Sequence, residues 1–316
     1  MNSALVITER KFTRGKGAPA SALLAVLWVI ALLSFLLVTT MMIVMQGVET
    51  STSRELVFHA RMLAEAGMAV GCNPLIKADD ALLHRTFSGF EGYDVLITSE
   101  DARLNINAML TEDNKVVLQR LFTLWGLDQP DAETVVDCLM DWVDADDLKR
   151  PRGAEKDDYN QAGFADRPYN RPFISVDEMS LVRGMDLVAR VHPNWRTAFT
   201  VWGSGALDIN DAAPDLIAAV ANVPLAQAQT LVAVRDGPDG VPHTKDDVPI
   251  EDLGQALSVL GAASQNAQSQ SLFTLNGSVL RIQSIGHVGT YRRGVAAAIK
   301  QTGLRPVVLQ WIEFVP

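Results

Sequence analysis

From Ala18 to Val48 the chain is apolar and carries no charged residue. Within it Ala22–Met45 (ALLAVLWVIALLSFLLVTTMMIVM) exceeds the ~20 residues that cross a bilayer core at about 1.5 Å per residue. Beyond this run, Glu49–Ala69 (ETSTSRELVFHARMLAEAGMA) is rich in helix formers, lacks Pro, has no Gly before Gly67, and sets Leu56, Leu63 and Val70 at heptad intervals. The pattern predicts one helix of roughly fifty residues, half in lipid and half on a soluble domain, ended by Cys72, Asn73 and Pro74.

Strand-like alternation marks Tyr93–Thr98 (YDVLIT). It returns in Ser271–Leu275, Val279–Ile285, Val295–Ile299 and Val307–Phe314, separated by Asn276-Gly277, Gly286, Gly289 and Gly303. Between these regions the period is helical, over Lys115–Trp125, Ala132–Val143, Val176–Val182, Asp215–Val220 and Ala226–Val234. The expected fold class is α+β: a long N-terminal helix packed on an antiparallel sheet, with a large all-α domain inserted into that sheet. Inside the insert, RLNINA (Arg103–Ala108) and ALDINDA (Ala206–Ala212) share Leu-x-Ile-Asn ahead of helical stretches. Each Asn is expected to cap a helix, giving two copies of a small helical module, with a chance four-residue match as the alternative.

The flanks of the apolar run orient it. Arg10, Lys11, Arg14 and Lys16 precede it with Glu9 alone opposing them, so the N-terminus is expected in the cytoplasm and everything past Val48 outside. A cleaved secretory signal would have a shorter core and an Ala-x-Ala site, which Thr39–Gly47 does not offer; a plain single-pass anchor is the alternative, against which stands the direct junction of Lys16-Gly17 with Ala18, with no acidic residue between basic tail and apolar helix. The balance of 27 basic against 37 acidic residues, a net charge of −10, disfavours a nucleic-acid partner. Two cysteines, Cys72 and Cys138, leave open a disulfide or a pair of buried thiols.

A basic leader ending in a small residue, followed at once by an apolar helix that turns amphipathic, resembles the N-terminus of type IV pilins and pseudopilins. Ser21–Val29 (SALLAVLWV) is similar to the opening of the K-type minor pseudopilins of type II secretion systems. The same resemblance runs through LMDWVDADD, GAEKDDYN and RPYNRPFISVDEMSLVRGM, in that order between Leu139 and Met185, although Tyr159-Asn160 replaces the family's two aromatics. Pilin-like chains usually carry Glu at the fifth mature position. Here that position is Ala22 if cutting follows Gly17 or Ala25 if it follows Ala20, and lack of the Glu is a K-type trait. Gly17 stands farther from the ALLAVL segment than the family pattern places it. Gly17, Ala18, Ala20 and Ser21 therefore bound two candidate processing bonds.

The resemblance implies an organisation: a leader over 1–17, the membrane half of the helix over 18–48, its periplasmic half and first strands of a pilin-like domain over 49–102. An inserted helical domain over 103–268, with two SAM-like or helix-hairpin-helix-like modules, and closing strands over 269–316 complete it. It further implies a single-pass inner-membrane protein with a periplasmic C-terminal domain, processed by a prepilin peptidase, N-methylated, and placed at the pseudopilus tip to promote assembly and export. Its partners would be the I-type and J-type minor pseudopilins, the major pseudopilin and the inner-membrane secretion platform.

Two acidic segments suit calcium, which takes six to eight hard oxygen ligands. The first has Asp141, Asp144, Asp146 and Asp147 followed by Glu155, Asp157 and Asp158; Lys149 stands where an EF-hand needs Gly, and Lys149, Arg150 and Arg152 could pair with these acids instead. The second, DGPDGVPHTKDDV, offers Asp236, Asp239, Asp246 and Asp247 among turn glycines, or is simply a solvated turn. Calcium binding in the helical domain is a known K-type trait, and no organic cofactor is expected. The five histidines (His59, His84, His192, His243, His287) have no ligand spacing, and no nucleophile elbow occurs, so no enzyme is expected. The segment from Leu207 to Arg235 also resembles a helix-hairpin-helix DNA-binding module, the basis of a rival reading as a competence-type membrane-anchored DNA receptor. Val223, Pro224, Leu225 and Ala226 stand where that module's glycines should be, and Asp208, Asp211 and Asp215 would repel phosphate.

Overall fold

The computed structural model describes residues 18–78, 80–261, 270–302 and 305–316. It divides into a unit ending at Phe58 and a second unit, His59–Pro316. Helix α1 (Ala18–Gly71) begins at Ala18 and ends where Cys72 N–H bonds Met68 C=O, close to the expected stop. In the first unit the segment Ala22–Met45 is long and apolar enough to cross a membrane, with none of it buried. Thr39 and Thr40 return their hydroxyls to Phe35 and Leu36 C=O at 2.7 and 2.8 Å, so neither leaves a free polar group on this apolar surface.

In the second unit the remainder of α1 lies on a five-stranded antiparallel sheet. Its strands are β1 (His84–Ser88), β2 (Glu91–Ser99), β7 (Leu280–Val288), β8 (Tyr291–Thr302) and β9 (Arg305–Phe314), adjacent in that order. The buried helix face is Ala60, Ala64, Gly67 and Met68, not the heptad Leu56, Leu63 and Val70, which are half-buried. Small residues let the helix backbone close on the sheet: a Cβ on Gly286 would sit 2.0 Å from Ala60 C=O oxygen and 2.4 Å from Ala64 N. Gly286, expected as a turn, is therefore a strand residue at the helix crossing, and Gly289 (φ 59°) makes the turn. Alternation in β2 and β7 points Tyr93, Val95 and Ile282 into this core with Ala64 and Met68. Along α1 the contacts pass from Gly286 to Ser284 to Ile282, so the helix runs toward the sheet end at Leu280.

At that end the chain leaves β2 at Ser99 and re-enters β7 at its cross-strand partner, Leu280. The segment between is mainly helical: α2 (Ile106–Met109), α3 (Lys115–Leu124), α4 (Gln129–Val143), α5 (Lys156–Gln161), α6 (Met185–Val191), α7 (Pro214–Ala221), α8 (Leu225–Arg235) and α9 (Leu253–Leu260). Asp128 starts α4 by accepting Asp131 N–H at 2.9 Å, ahead of Pro130. The expected helix over Val176–Val182 is a 3₁₀ turn, Val176–Leu181. Trp142, Trp195, Phe122 and Phe199 are fully buried in one continuous core.

The two Leu-x-Ile-Asn segments build the same local arrangement. β3 (Leu104–Asn105) pairs in parallel with β4 (Phe199–Thr200), and β5 (Leu207–Asp208) pairs in parallel with β6 (Phe273–Thr274). The Ser271–Leu275 strand thus pairs with Leu207–Asp208 and lies outside the five-stranded sheet. The expected caps, Asn107 and Asn210, cap nothing; Asn105 and Asp208 accept the local N–H of Asn107 and Asn210 instead. Asn107 brackets Phe173 N and C=O at 2.9 and 3.0 Å, and Asn210 brackets Ile250 N and C=O at 2.7 and 3.1 Å. Both β4 and β6 run on into a Gly-Ser turn, and both turns end on Asp101. Its Oδ1 accepts Ser204 N at 2.8 Å; its Oδ2 accepts Ser278 N at 2.6 Å and Ser278 Oγ at 3.0 Å.

Candidate functional site

Of the processing residues, Gly17 lies outside the described residues, while Ala18, Ala20 and Ser21 fall in the first turns of α1. The leader over 1–17 is likewise outside them.

The first acidic cluster joins the end of α4 to the start of α5. Asp141 is fully buried; its Oδ1 accepts Arg150 Nη1 at 2.8 Å and its Oδ2 accepts Arg150 N at 3.2 Å. Gly153 has no Cβ here because that atom would fall 1.8 Å from Asp141 Oδ2. Desolvation raises the Asp141 pKa, and the Arg150 bonds oppose that rise. Arg150 also bonds Asp144 Oδ2 through Nη1. Burial acts against the Arg150 charge, but its bonds to Asp144 and Asp141 outweigh that and hold it protonated.

Glu155 has no such partner. It is 5% exposed, and both carboxylate oxygens are buried without a hydrogen bond, as is Asp144 Oδ1. Desolvation, and then repulsion from Asp141, Asp144, Asp147 and Asp146, push its pKa up to about 7. Asp146 is used locally, accepting Leu148 N at 2.8 Å, and Asp157 is exposed on α5. Asp158 is bound by Lys149 Nζ at 2.6 Å and accepts Glu155 N–H at 3.0 Å.

In the second cluster Asp236 does not join the others: it is buried and paired with Arg235 Nε at 2.7 Å, while Arg235 Nη1 holds Ile209 and Ala212 C=O. The remaining three converge on Thr244. Its Oγ1 lies 2.6 Å from Asp246 Oδ1, 3.2 Å from Asp239 Oδ2 and from Asp247 Oδ1, and 3.3 Å from Val241 C=O. One hydroxyl proton serves one of these oxygens. Among the described residues no Lys or Arg pairs with Asp239, Asp246 or Asp247. Neither cluster forms a closed cage: among the described residues no three His, Cys, Asp or Glu side chains are arranged to hold a metal ion. What fits a hard cation is narrower: the unpartnered oxygens of Glu155 and Asp144, and the oxygens gathered at Thr244.

Sequence reasoning overlooked Thr244, whose placement between Asp239 and Asp246-Asp247 was the available signal, and it overlooked Asp101. Cys72 and Cys138 are both free. Burial pushes the Cys138 thiol up to about 12, and its Sγ lies against Arg152 C=O. At the helix-hairpin-helix segment, α7 closes on Asn222 in the left-handed conformation (φ 56°), and Pro224 precedes α8, so the turn is made without glycine.

A long N-terminal helix that is apolar in its first half and, from His59 on, packs by small residues on an antiparallel sheet carrying a helical insertion defines the class: a pilin-like fold with an inserted helical domain. A family model described as type II secretion system protein K matches residues 102–193. Type II secretion system protein K of Pseudomonas aeruginosa is 26% identical across 66% of this chain, and the match spans 64% of that relative's length. Among solved structures, a chain in the crystal structure of the GspK-GspI-GspJ complex from the enterotoxigenic Escherichia coli type 2 secretion system superposes with a TM-score of 0.61. That match covers 86% of this chain and 100% of the other at 16% identity, a likeness of fold. The chain is thus similar to type II secretion system protein K in sequence over the first part of its insert and in fold over most of its length.

Proposed function

We propose that the chain is the tip subunit of a type II secretion pseudopilus, anchored in the inner membrane before assembly with its sheet and insert in the periplasm, and promoting export across the outer membrane. The observation that carries the reading is the position of the insert. It departs from the sheet end toward which α1 runs, where a further subunit stacked in the same sense would meet it. Lack of a Glu at Ala22 or Ala25 agrees: a subunit with no carboxylate to offer a preceding neighbour's amine suits the first place in a filament. Its partners would be I-type and J-type minor pseudopilins, then the major pseudopilin and the inner-membrane platform. Prepilin peptidase would cut after Gly17 or Ala20 and the new amine would be methylated. N-terminal sequencing with and without the peptidase should give a mature start at Ala18 or Ser21, and crosslinks should place the chain at one end of the pseudopilus. An intact leader, or crosslinks along the shaft, would sink the reading.

Calcium would be held at two places in the insert. Glu155 with Asp144, supported by the field of Asp146 and Asp147, forms the first; Asp239, Asp246 and Asp247 form the second. The ion would supply charge that these oxygens lack and tie their loops together, a structural role. Calorimetry of the chelator-treated protein should show heat on adding calcium and a higher melting temperature; neither change would appear if both clusters were merely solvated.

A further inference from the structure

Where the sheet meets both halves of the insert there is a cleft of about 460 Å³, within the ~300–1,000 Å³ range of ligand sites. Thr98, Arg281 and Gln283 reach it from the sheet, Arg103 and Asn194 from the first half of the insert, and Asp211 from the second.

One part of its wall is out of charge balance. Arg103 and Arg281 share a single carboxylate, the buried Glu100, whose oxygens lie 3.9 Å from Arg103 Nη1 and 3.3 Å from Arg281 Nη1. Glu100 Oε1 is also taken by Thr200 Oγ1 at 2.7 Å. Arg281 Nε is buried with no acceptor, and among the described residues the Arg103 guanidinium has only the 3.9 Å ion pair with Glu100. Desolvation, and then the Arg281 charge, lower the Arg103 pKa against the pull of Glu100. Glu100 hydrogen-bonds Arg281 Nη1 at 3.3 Å and stands 3.9 Å from Arg103, so on this side of the cleft, across from Asp211 and Asp215, the Arg103 guanidinium and Arg281 Nε keep N–H donors without an acceptor.

We propose that this cleft binds a carboxylate presented by an extended polypeptide, gripped by Arg103 and Arg281, with Asp211 Oδ1 receiving an N–H of the segment; Asp211 Oδ2 is held by Ser99 N–H, and the Asp215 oxygens by Leu216 N–H and Trp125 Nε1. A second carboxylate restores a two-to-two pairing, and the planar fork of each guanidinium suits it. A dianionic phosphate suits the cleft less, because Asp211 and Asp215 also line it. The carboxylate can belong to an Asp or Glu side chain or to a chain terminus.

The test is titration calorimetry of the full chain in detergent micelles with three short glycine peptides: one with an internal Asp and both ends blocked, one with a free C-terminal carboxylate, and one blocked with Asn replacing Asp. Saturable heat is expected from at least one acidic peptide, with the Asn peptide at least about tenfold weaker. Which acidic peptide binds identifies the source of the carboxylate. Affinity should fall as salt is raised from about 50 to about 300 mM. Arg103→Gln leaves the Glu100–Arg281 pair in place and should cost about tenfold in affinity at an unchanged melting temperature, with Arg103→Lys recovering part. Arg196→Gln, outside the cleft, should bind as the parent does. Equal binding of the Asn peptide, salt-independent binding, an unaffected Arg103→Gln variant, or no heat from either acidic peptide would overturn the proposal.

Discussion

Asp101→Asn should be among the most damaging single-atom changes in this molecule. Asp101 is 1% exposed, and both oxygens are committed: Oδ1 to Ser204 N, Oδ2 to Ser278 N, Ser278 Oγ and, at 3.3 Å, Val279 N. All of these are donors, so an amide NH₂ on either side must face an N–H. One rotamer breaks the Ser204 bond, the other the Ser278 pair. Hydrogen bonds to a charged group are worth about 1.5–3 kcal/mol each, and a buried donor left without an acceptor costs about 1–3 kcal/mol. The loss should therefore be about 3–5 kcal/mol. It should also be local, because Ser204 and Ser278 close the turns that follow β4 and β6. Urea unfolding followed by tryptophan fluorescence measures the first, and hydrogen exchange at Ser204, Ser278 and Val279 the second. Asp186→Asn is the control: Asp186 is exposed, paired only with Arg190 one turn away, and should cost about 0.3–0.5 kcal/mol. If Asp101→Asn costs under about 1 kcal/mol, or the three amides stay protected, the turns are held by something else.

Gly286→Val should cost roughly 3 kcal/mol or more, since its Cβ meets helix backbone that cannot rotate away, whereas Gly289→Ala, with open space around it, should cost about 1 kcal/mol through its positive φ alone; equal melting temperatures for the two would refute the close approach. In chelator, Glu155→Gln should change the pH profile: the folded protein keeps the Glu155 proton up to about 7 while the unfolded chain loses it near 4.5, so the parent loses stability as pH rises through that window. The variant should match the parent below the window and exceed it above by about 1–3 kcal/mol, and a parallel pair of profiles would contradict the burial argument. Asn210→Ala, which removes bonds to Ile250 N, Ile250 C=O and Leu275 C=O, should cost about 2–3 kcal/mol by thermal unfolding; a loss under about 0.5 would mean solvent serves those groups.

Much of the architecture was legible because it rests on period. The apolar run, the long helix, and the strands at Tyr93, Val279 and Val307 announce themselves by repeated large side chains, and the strand at Val295 by its apolar run between turn residues. The helix face on the sheet did not, for a physical reason: Ala60, Ala64, Gly67 and Gly71 contribute by what they lack, while hydrophobic periodicity rewards the larger Leu56, Leu63 and Val70. The short polar strand β1 (HRTFS) has no buried position to betray it, and β6 is fixed by a partner far along the chain. Short helices such as α5 and α6 have too few turns for a period to emerge.

The candidate sites divide along the same line. Sequence brings acidic residues together but does not say which cation each one meets, and that decides the outcome. Asp236 is removed from its loop by the adjacent Arg235, and Asp141 by Arg150, nine positions on; Glu155, which looks like another member of the group, is the one whose two oxygens are both buried without a hydrogen bond among the described residues. The Leu-x-Ile-Asn pair shows the complementary case. The four-residue match predicts two helix caps, yet in each copy the second residue makes the local turn and the Asn crosses to a distant backbone, Phe173 or Ile250. An Asn that brackets both groups of one peptide segment uses donor and acceptor together, which neither Ala nor Asp can do. Two such brackets, two parallel strand pairs and two Gly-Ser turns on one carboxylate make the halves of the insert variations on one plan. Asp101, contributed by neither strand pair, is then the residue that holds both halves to the sheet, and the cleft of Arg103 and Arg281 lies where they meet it.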